Sequence, residues 1–438
     1  MKRLCLIFSA LFLAASIEGG QEETDVTRRI SDKGQLSLEQ LLRTVASDNP
    51  SIKAAEAKWQ AMKARVPQAA AWEDLRAQAD SRVSRFVDIP PNAFTDQSIM
   101  LEQELPLTGK NRSRARAATA EAGAAFEELR RTELDVLSRA RSAYYRLANE
   151  YEQLEINRRN VELLNQFAEL SRARYEVGTA RETDVLTAKT DAARLVEAQA
   201  DILRRISDAQ TQVNVLMNRP AQARLGVLSA VAFEPVHLSL ANLQRVALSA
   251  RPEVQRAQNR IEAERFRVQL ANRQRISDPL LNVKAQRYNE AAQAVSELDV
   301  GLSIGLPFFN ARKYSAGITE AQRNFEAAQR EFEAASNEAL GLVRDQVKKV
   351  ETAAHHHELY RDKILPLAQQ TVKANRAAYE TSGATFLELI SSQRVLQEVE
   401  STFVEHLADY QIALAELRAV VGADDQRFTS ERTERRSK

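Results

Sequence analysis

The chain has 438 residues, 28% of them charged, and a formal net charge of only +1. That balance removes any bulk electrostatic case for binding nucleic acid. With 13 glycines, 11 prolines and 6% aromatic residues, the composition is that of long helices rather than of the two or three globular domains its length alone suggests.

Residues 1–20 read as a secretory signal: Lys2 and Arg3, an apolar run from Leu4 to Ala15, then small residues from Ala14 to Gly20. That run is too short to cross a bilayer as a permanent helix. Cys5, the one cysteine, lies inside it and leaves with it, so no disulfide or thiol chemistry is expected of the mature chain. No other stretch approaches a transmembrane helix. An exported chain of this kind meets a membrane through a β-barrel or at its surface.

Residues 21–36 are polar and read as irregular. Ser37 and Gln40 carry the spacing of a capping box, so a helix starts there, breaks at Asp48-Asn49-Pro50 and resumes to about Ala71. Asp74 to Phe86 is a weak strand signal, rich in arginine and aspartate. Ile99, Leu101, Gln103 and Leu105 alternate as a second strand, closed by Leu105-Pro106. Beyond Pro106, Leu147, Tyr151, Leu154, Val161, Leu164, Ala168 and Tyr175 form a heptad seam, the pattern of helices that stay side by side. A helix over residues 111–175 would be roughly 100 Å long at about 1.5 Å per residue. It is expected to end at Tyr175-Glu-Val-Gly178-Thr179, where Gly178 supplies a left-handed residue. A returning helix runs from Val185 to about Asn218, and residues 221–237 read as a linker.

The same design then returns. Ser239-Leu-Ala-Asn242 opens a helix that Arg251-Pro252 breaks. Leu281, Val283 and Ala285 alternate, as do Leu298, Val300, Leu302, Ile304 and Leu306, giving strands with one apolar face. After Leu306-Pro307 comes a second seam: Leu340, Val343, Val347, Val350, Ala354, His357, Ile364, Ala368, Thr371 and Ala378. It closes at Tyr379-Glu-Thr-Ser382-Gly383, followed by a helix from Leu387 to about Val421. Pro106 and Pro307 lie 201 residues apart, and Tyr175 and Tyr379 lie 204 apart, so the second rod carries about one extra turn. The chain is a tandem duplication, with copies at 37–220 and 238–422 and a charged tail at 423–438 expected to be disordered. Four strands of about ten residues cannot close a barrel, because small barrels need about eight. Other chains must complete it.

This arrangement resembles the outer-membrane factor (TolC-like) family of bacterial efflux and secretion channels over about residues 37–422. The resemblance rests on the duplicated order and on Gln103-Glu-Leu-Pro-Leu-Thr-Gly109-Lys110, Tyr175-xx-Gly178 with Asp184-Val-Leu186, and Tyr379 with Phe386-Leu-Glu388-Leu-Ile390 and Gln393-Arg394. It implies a mainly α fold with a small β part: a homotrimer in which each chain gives four strands to one outer-membrane β-barrel in lipid. Its long coiled-coil helices form a periplasmic tunnel. The implied partners are a periplasmic adaptor (membrane fusion) protein and an inner-membrane RND transporter. Gln103–Lys110 and Ile364-Leu-Pro366 look most like members paired with heavy-metal pumps. Leu105, Pro106, Gly109, Leu306 and Pro307 would mark the barrel-to-helix transition, and Tyr175, Gly178, Thr179, Tyr379, Ser382 and Gly383 the hairpin tips that meet the adaptor.

Gly383 stands four places after its tyrosine rather than three, and the family's tunnel-locking arginine position holds Ala384 here, with Arg181 as a substitute in the first copy. Asp184 and Glu388 each lie nine residues after the repeat tyrosine. They stabilise helix N-termini, or form a carboxylate ring that favours cations at the tunnel entrance, and both roles can hold together.

His355-His356-His357 are consecutive, about 100° apart on a helix, so the three cannot share one metal ion. His357 falls on the seam and reads as packed. No catalytic set, phosphate loop or zinc signature is present in the sequence, and no enzyme activity or cofactor is expected. Two other readings remain open: the channel of a type I protein secretion system, and an exported coiled-coil spacer without a pore.

Overall fold

The computed structural model describes residues 35–81, 97–289 and 294–422. The secretory signal, the polar segment before residue 35, residues 82–86 of the first strand signal and the tail from 423 lie outside the described residues. In chain order the elements are α1 (Leu38–Asp48), α2 (Pro50–Ala70), β1 (Arg76–Ser81), β2 (Gln97–Glu104), α3 (Lys110–Glu176) and α4 (Glu182–Leu216). The second copy follows with α5 (Leu240–Ala250), α6 (Pro252–Arg273), β3 (Leu280–Asn289), β4 (Ala294–Ser303), α7 (Ala311–Leu359), α8 (Leu365–Glu380) and α9 (Phe386–Val421). The fold is mainly α with one small sheet, as expected, and it is duplicated.

The duplication holds down to backbone angles. A residue before proline is disfavoured in the helical region. Asn49, between α1 and α2, has φ −65° and ψ 124°. Arg251, between α5 and α6, has φ −68° and ψ 124°. The capping box also forms: the Gln40 N–H donates to Ser37 Oγ at 3.2 Å and the Ser37 N–H to Gln40 Oε1 at 3.1 Å.

The described chain forms two compact units. One comprises residues through Pro50, Val136–His237 and Lys349–Glu416; the other comprises Ser51–Asp135, Leu238–Lys348 and the chain from Leu417. The second unit holds the sheet, antiparallel throughout in the order β1-β2-β3-β4. Its register puts Leu101, Val283 and Val300 abreast, and likewise Ile99, Ala285 and Leu298. On the opposite face Lys284 is abreast of Asp299, and Gln286 Nε2 donates to Glu297 and Asp299 at 3.2 and 3.0 Å. The sheet thus has one apolar and one polar face. Leu298, Val300 and Leu302 are each 69% exposed in the single chain.

Two expectations are corrected here. The alternation read as strand to Leu306 outlasts the ladder, whose last pair is Leu280 with Ser303. Pro279 precedes Leu280 and has no N–H to extend the pairing. Ile304 and Leu306 follow as exposed residues, and Pro307–Asn310 make one 3-10 turn before α7. The second rod is also not one α-helix: Tyr360–Ile364 form a π turn ahead of Pro366. Proline at that place removes an N–H and crowds the carbonyl four residues back, which a wider turn relieves. A π turn lodges an extra residue; Ala368 just beyond it is still buried as the seam expects, but further on the buried face is displaced by one. Val372 and Tyr379 are buried where the seam expected Thr371 and Ala378. In the first rod Leu147, Leu154, Leu164 and Ala168 are buried as expected, but Tyr175 is 47% exposed.

Where β2 leads into α3, the expected transition residues meet partners from the second copy. Leu105 N–H donates to Pro279 C=O at 2.9 Å. Gly109, at φ +73°, lies under the Arg273 guanidinium, which donates to its carbonyl; a side chain there would collide with it. Asp278 takes the Thr108 N–H at 2.8 Å and the Lys110 ammonium at 3.0 Å, with both charged side chains largely buried. Burial pushes the Asp278 carboxyl up, but the Thr108 hydrogen bonding and the Lys110 hydrogen bond and charge outweigh it and hold it below the ordinary carboxylate range. Folding therefore gains from this group at neutral pH and loses that gain as pH falls through the lowered value. Asp278→Asn should destabilise the protein by about 1.5–3 kcal/mol at pH 7. The deficit should shrink as pH falls below about 4, where the unfolded carboxyl takes up its proton, and vanish once the native one does. Thermal unfolding in detergent measures both; an equal deficit at pH 7 and pH 3 would count against the ion pair.

Candidate functional site at the paired helix tips

Both long helices end in the same hydrogen-bonded closure. In the first copy the Thr179 N–H donates to Arg174 C=O at 2.8 Å and the Gly178 N–H to Tyr175 C=O at 2.9 Å, with Gly178 at φ +77°. In the second the Gly383 N–H donates to Ala378 C=O at 2.7 Å and the Ser382 N–H to Tyr379 C=O at 3.2 Å. This is the Schellman pattern, which needs one left-handed residue. In the second copy that residue is Ser382, at φ +65°, and not Gly383. The left-handed residue therefore stands three places after the tyrosine in both copies, and the apparent offset of the glycine vanishes.

The two tyrosines have diverged. Tyr379 is buried, its hydroxyl 3.2 Å from Ser171 Oγ and its ring against Phe386. It belongs to a core with Leu164, Phe167, Ala188, Leu389 and Ile390. Tyr175 has no such pocket. Arg174 lies over the Tyr379 ring at 4.5 Å and donates to Ser382 Oγ at 2.7 Å, so one arginine of the first copy clasps the tip of the second. Arg181, the expected substitute for a locking arginine, is exposed, and among the described residues its guanidinium makes no hydrogen bond or ion pair; its backbone N–H caps α4 instead. Arg174 was missed because it lies outside the returning-helix motif. Its repeat counterpart is Ala378, and that one-sidedness was the available signal.

Asp184 and Glu388 are both helix caps. The Arg181 N–H donates to Asp184 Oδ2 at 3.3 Å. Thr385 gives its N–H and its hydroxyl to Glu388 Oε2 at 2.7 and 3.0 Å, and its oxygen takes the Glu388 N–H at 3.3 Å, a full capping box. These bonds, the backbone one foremost, hold the Glu388 carboxyl below its ordinary range. Glu388 also lines a groove of about 440 Å³ between α8 and α9, with Ala368, Thr371, Asn375, Ser391 and Val395.

Above the tips, polar side chains stitch the first copy to the second. Arg394 donates to both Asp191 oxygens at 2.9 and 2.7 Å, with Asp191 buried. The buried Gln393 donates to Asn160 at 2.6 Å. Gln393-Arg394 was legible as a motif; its partners on α3 and α4 were not.

A duplicated chain whose apolar-faced strands feed paired helices with matched tips is the protomer of an outer-membrane channel. The chain belongs to the outer membrane efflux protein family, whose profile matches residues 41–219 and 243–423. It is thus an outer-membrane protein of a channel family rather than of an enzyme family. No curated protein sequence matches it. Among solved structures, the outer-membrane channel OprN has a TM-score of 0.74 at 18% identity, covering 88% of this chain and 90% of that one. VceC of Vibrio cholerae has 0.72 at 20%, covering 88% and 96%. CusC, solved in a study of folding and transmembrane channel formation, has 0.74 at 15%, covering 88% and 92%. At these identities the likeness is one of fold.

The assignment of the left-handed residues has a direct test. Space around Gly178 is open, so Gly178→Ala isolates the backbone penalty, about 1–2 kcal/mol. At Gly383 a Cβ would make only ordinary contacts, so Gly383→Ala should stay within about 0.5 kcal/mol. Amide exchange at Thr179 should accelerate roughly 5–30-fold in the first variant, and at Gly383 and Ala384 hardly at all in the second. Equal acceleration in both would return the left-handed position to Gly383.

Proposed function

We propose that this chain is one third of a trimeric exit duct that passes solutes from an inner-membrane RND transporter through the outer membrane, with its tips docked on a periplasmic adaptor. One observation carries the reading: among the described residues, an antiparallel sheet of four strands with an exposed apolar face and unpaired edges at β1 and β4. Unpaired backbone groups in hydrocarbon cost several kcal/mol each, so the edges must meet other copies. Four strands from each of three chains close one barrel. The exported solute is a metal ion or a drug; the segments Gln103–Lys110 and Ile364-Leu-Pro366 favour the heavy-metal class.

In this duct Asp184 and Glu388 sit at the narrow entrance, and three-fold symmetry repeats each. Their caps matter to the mechanism. The Thr385 hydrogen bonds keep Glu388 charged at periplasmic pH, so the entrance holds a negative field that draws cations. Arg181 beside Asp184 moderates that field in the first copy.

Crosslinking of the full-length protein in detergent should stop at the trimer, and a photo-crosslinker at Thr179 in cells should capture the adaptor. A monodisperse monomer would sink the duct; a trimer with no tip capture would sink only the docking.

The entrance charges can be removed without removing the caps, because asparagine and glutamine still accept the same N–H bonds. Asp184→Asn with Glu388→Gln should weaken cation selectivity and block by multivalent cations in planar bilayers, leaving thermal stability nearly unchanged. Glu162→Gln with Glu358→Gln is the control. Equal loss in the control pair, or none in the entrance pair, leaves the two carboxylates as caps alone.

A further inference from the structure

Four of the five histidines, His355, His356, His357 and His406, gather in one patch where α7 meets α9. The sequence makes the first three neighbours; only the fold brings in the fourth, from the other helix. His357 is buried, stacked on Phe403 at 4.8 Å and set against Phe233 at 4.4 Å, so it serves the core. His356 and His406 remain, facing each other across the two helices with ring centres 5.2 Å apart. Neither has a hydrogen-bond or ion-pair partner among the described residues. The Tyr360 ring stands edge-on to His406 at 4.8 Å.

That separation has a chemical meaning. An imidazole bound through one nitrogen at about 2.0–2.1 Å puts its ring centre roughly 3.2 Å from the metal, so two such rings at a tetrahedral angle stand roughly 5.2 Å apart. We propose that His356 and His406 form a two-imidazole site for a borderline divalent transition cation of the zinc, nickel or copper(II) class, bridging α7 and α9. Imidazole suits these ions, whereas magnesium and calcium require oxygen ligands. No three metal-ligating side chains converge among the described residues, so water completes the coordination. Asp409, one turn along α9 from His406, adds a negative charge on the same helix face.

The placement gives the site a second consequence. The π turn begins at Tyr360, four residues after His356. A cation held between His356 and His406 clips α7 to α9 at the point where the second rod departs from α-helix. The site is independent of the tips and of the entrance carboxylates, and it holds whatever solute the duct carries.

The test uses the full-length protein in detergent, prepared without a histidine tag, and titrates Zn²⁺ against a chromophoric chelator. One Zn²⁺ per chain should bind in competition with the chelator, and Mg²⁺ should not displace it. His356→Ala and His406→Ala should each weaken binding at least tenfold, while His355→Ala, next to His356 and likewise exposed, should change it less than twofold. Electron paramagnetic resonance of bound Cu²⁺ should show two imidazole nitrogens in the wild type and one in either variant. Zn²⁺ should also raise the unfolding temperature of the wild type and of His355→Ala, but not of the other two. Wild-type binding in His356→Ala or His406→Ala would overturn the site. So would a loss in His355→Ala as large as theirs, which would mark diffuse surface binding.

Discussion

Hydrocarbon offers no partner for a peptide N–H or C=O, and the architecture of this chain follows from that single fact. No described helix is long and apolar enough to cross a membrane. The apolar surface lies instead on strands, every second residue of which turns away from it. Because β1 and β4 are edges, a single copy cannot satisfy its own backbone. Completion has to come from outside the chain, and the polar face with its Lys284, Gln286, Glu297 and Asp299 ladder is left to line whatever space the strands enclose.

In the helices, the two copies have kept their backbone and changed their chemistry. The bend before Pro50 and that before Pro252 differ by only a few degrees. The tip closure is the same in both copies although one uses glycine and the other serine. It is the same again at the end of α4, where Asn218 sits at φ +56° and the Arg219 N–H reaches Asn214 C=O at 2.8 Å. Side chains went the other way: one tyrosine is core and its counterpart is surface, and Asp191 with Arg394, Asn160 with Gln393 and Ser171 with Tyr379 each pair a residue of one copy with a residue of the other. Hydrogen bonds of the main chain record the common origin, and hydrogen bonds between side chains record the adaptation of each half to its neighbour.

This division also explains what the sequence reveals. The repeat, the helix breaks at proline, the capping box at Ser37 and the apolar strand face are local or periodic, and each could be read residue by residue. Long-range partners could not: Asp278 and Arg273 stand in an unremarkable turn until Thr108, Gly109 and Lys110 fold against them. Two local readings failed for reasons of backbone geometry. Alternation continued past Ser303 because side-chain pattern does not register that Pro279 has ended the partner strand. The heptad seam slipped after Ala368 because spacing along a sequence cannot see a π turn. Gly383 misled for a third reason: glycine permits the left-handed region without requiring it, and a neighbouring serine took the position.

The contact between Arg174 and Ser382 sets the stiffness of the tips. It is one exposed hydrogen bond with a cation resting on an aromatic ring. If it contributes about 1 kcal/mol, thermal energy breaks it roughly one-sixth of the time. Its partners in the core beneath, Tyr379 and Phe386 among them, open far more rarely. The ends of the two hairpins are therefore hinged on a firm base and joined by a weak clasp. On the proposed docking at the tips, a partner would need little work to hold that clasp open or shut.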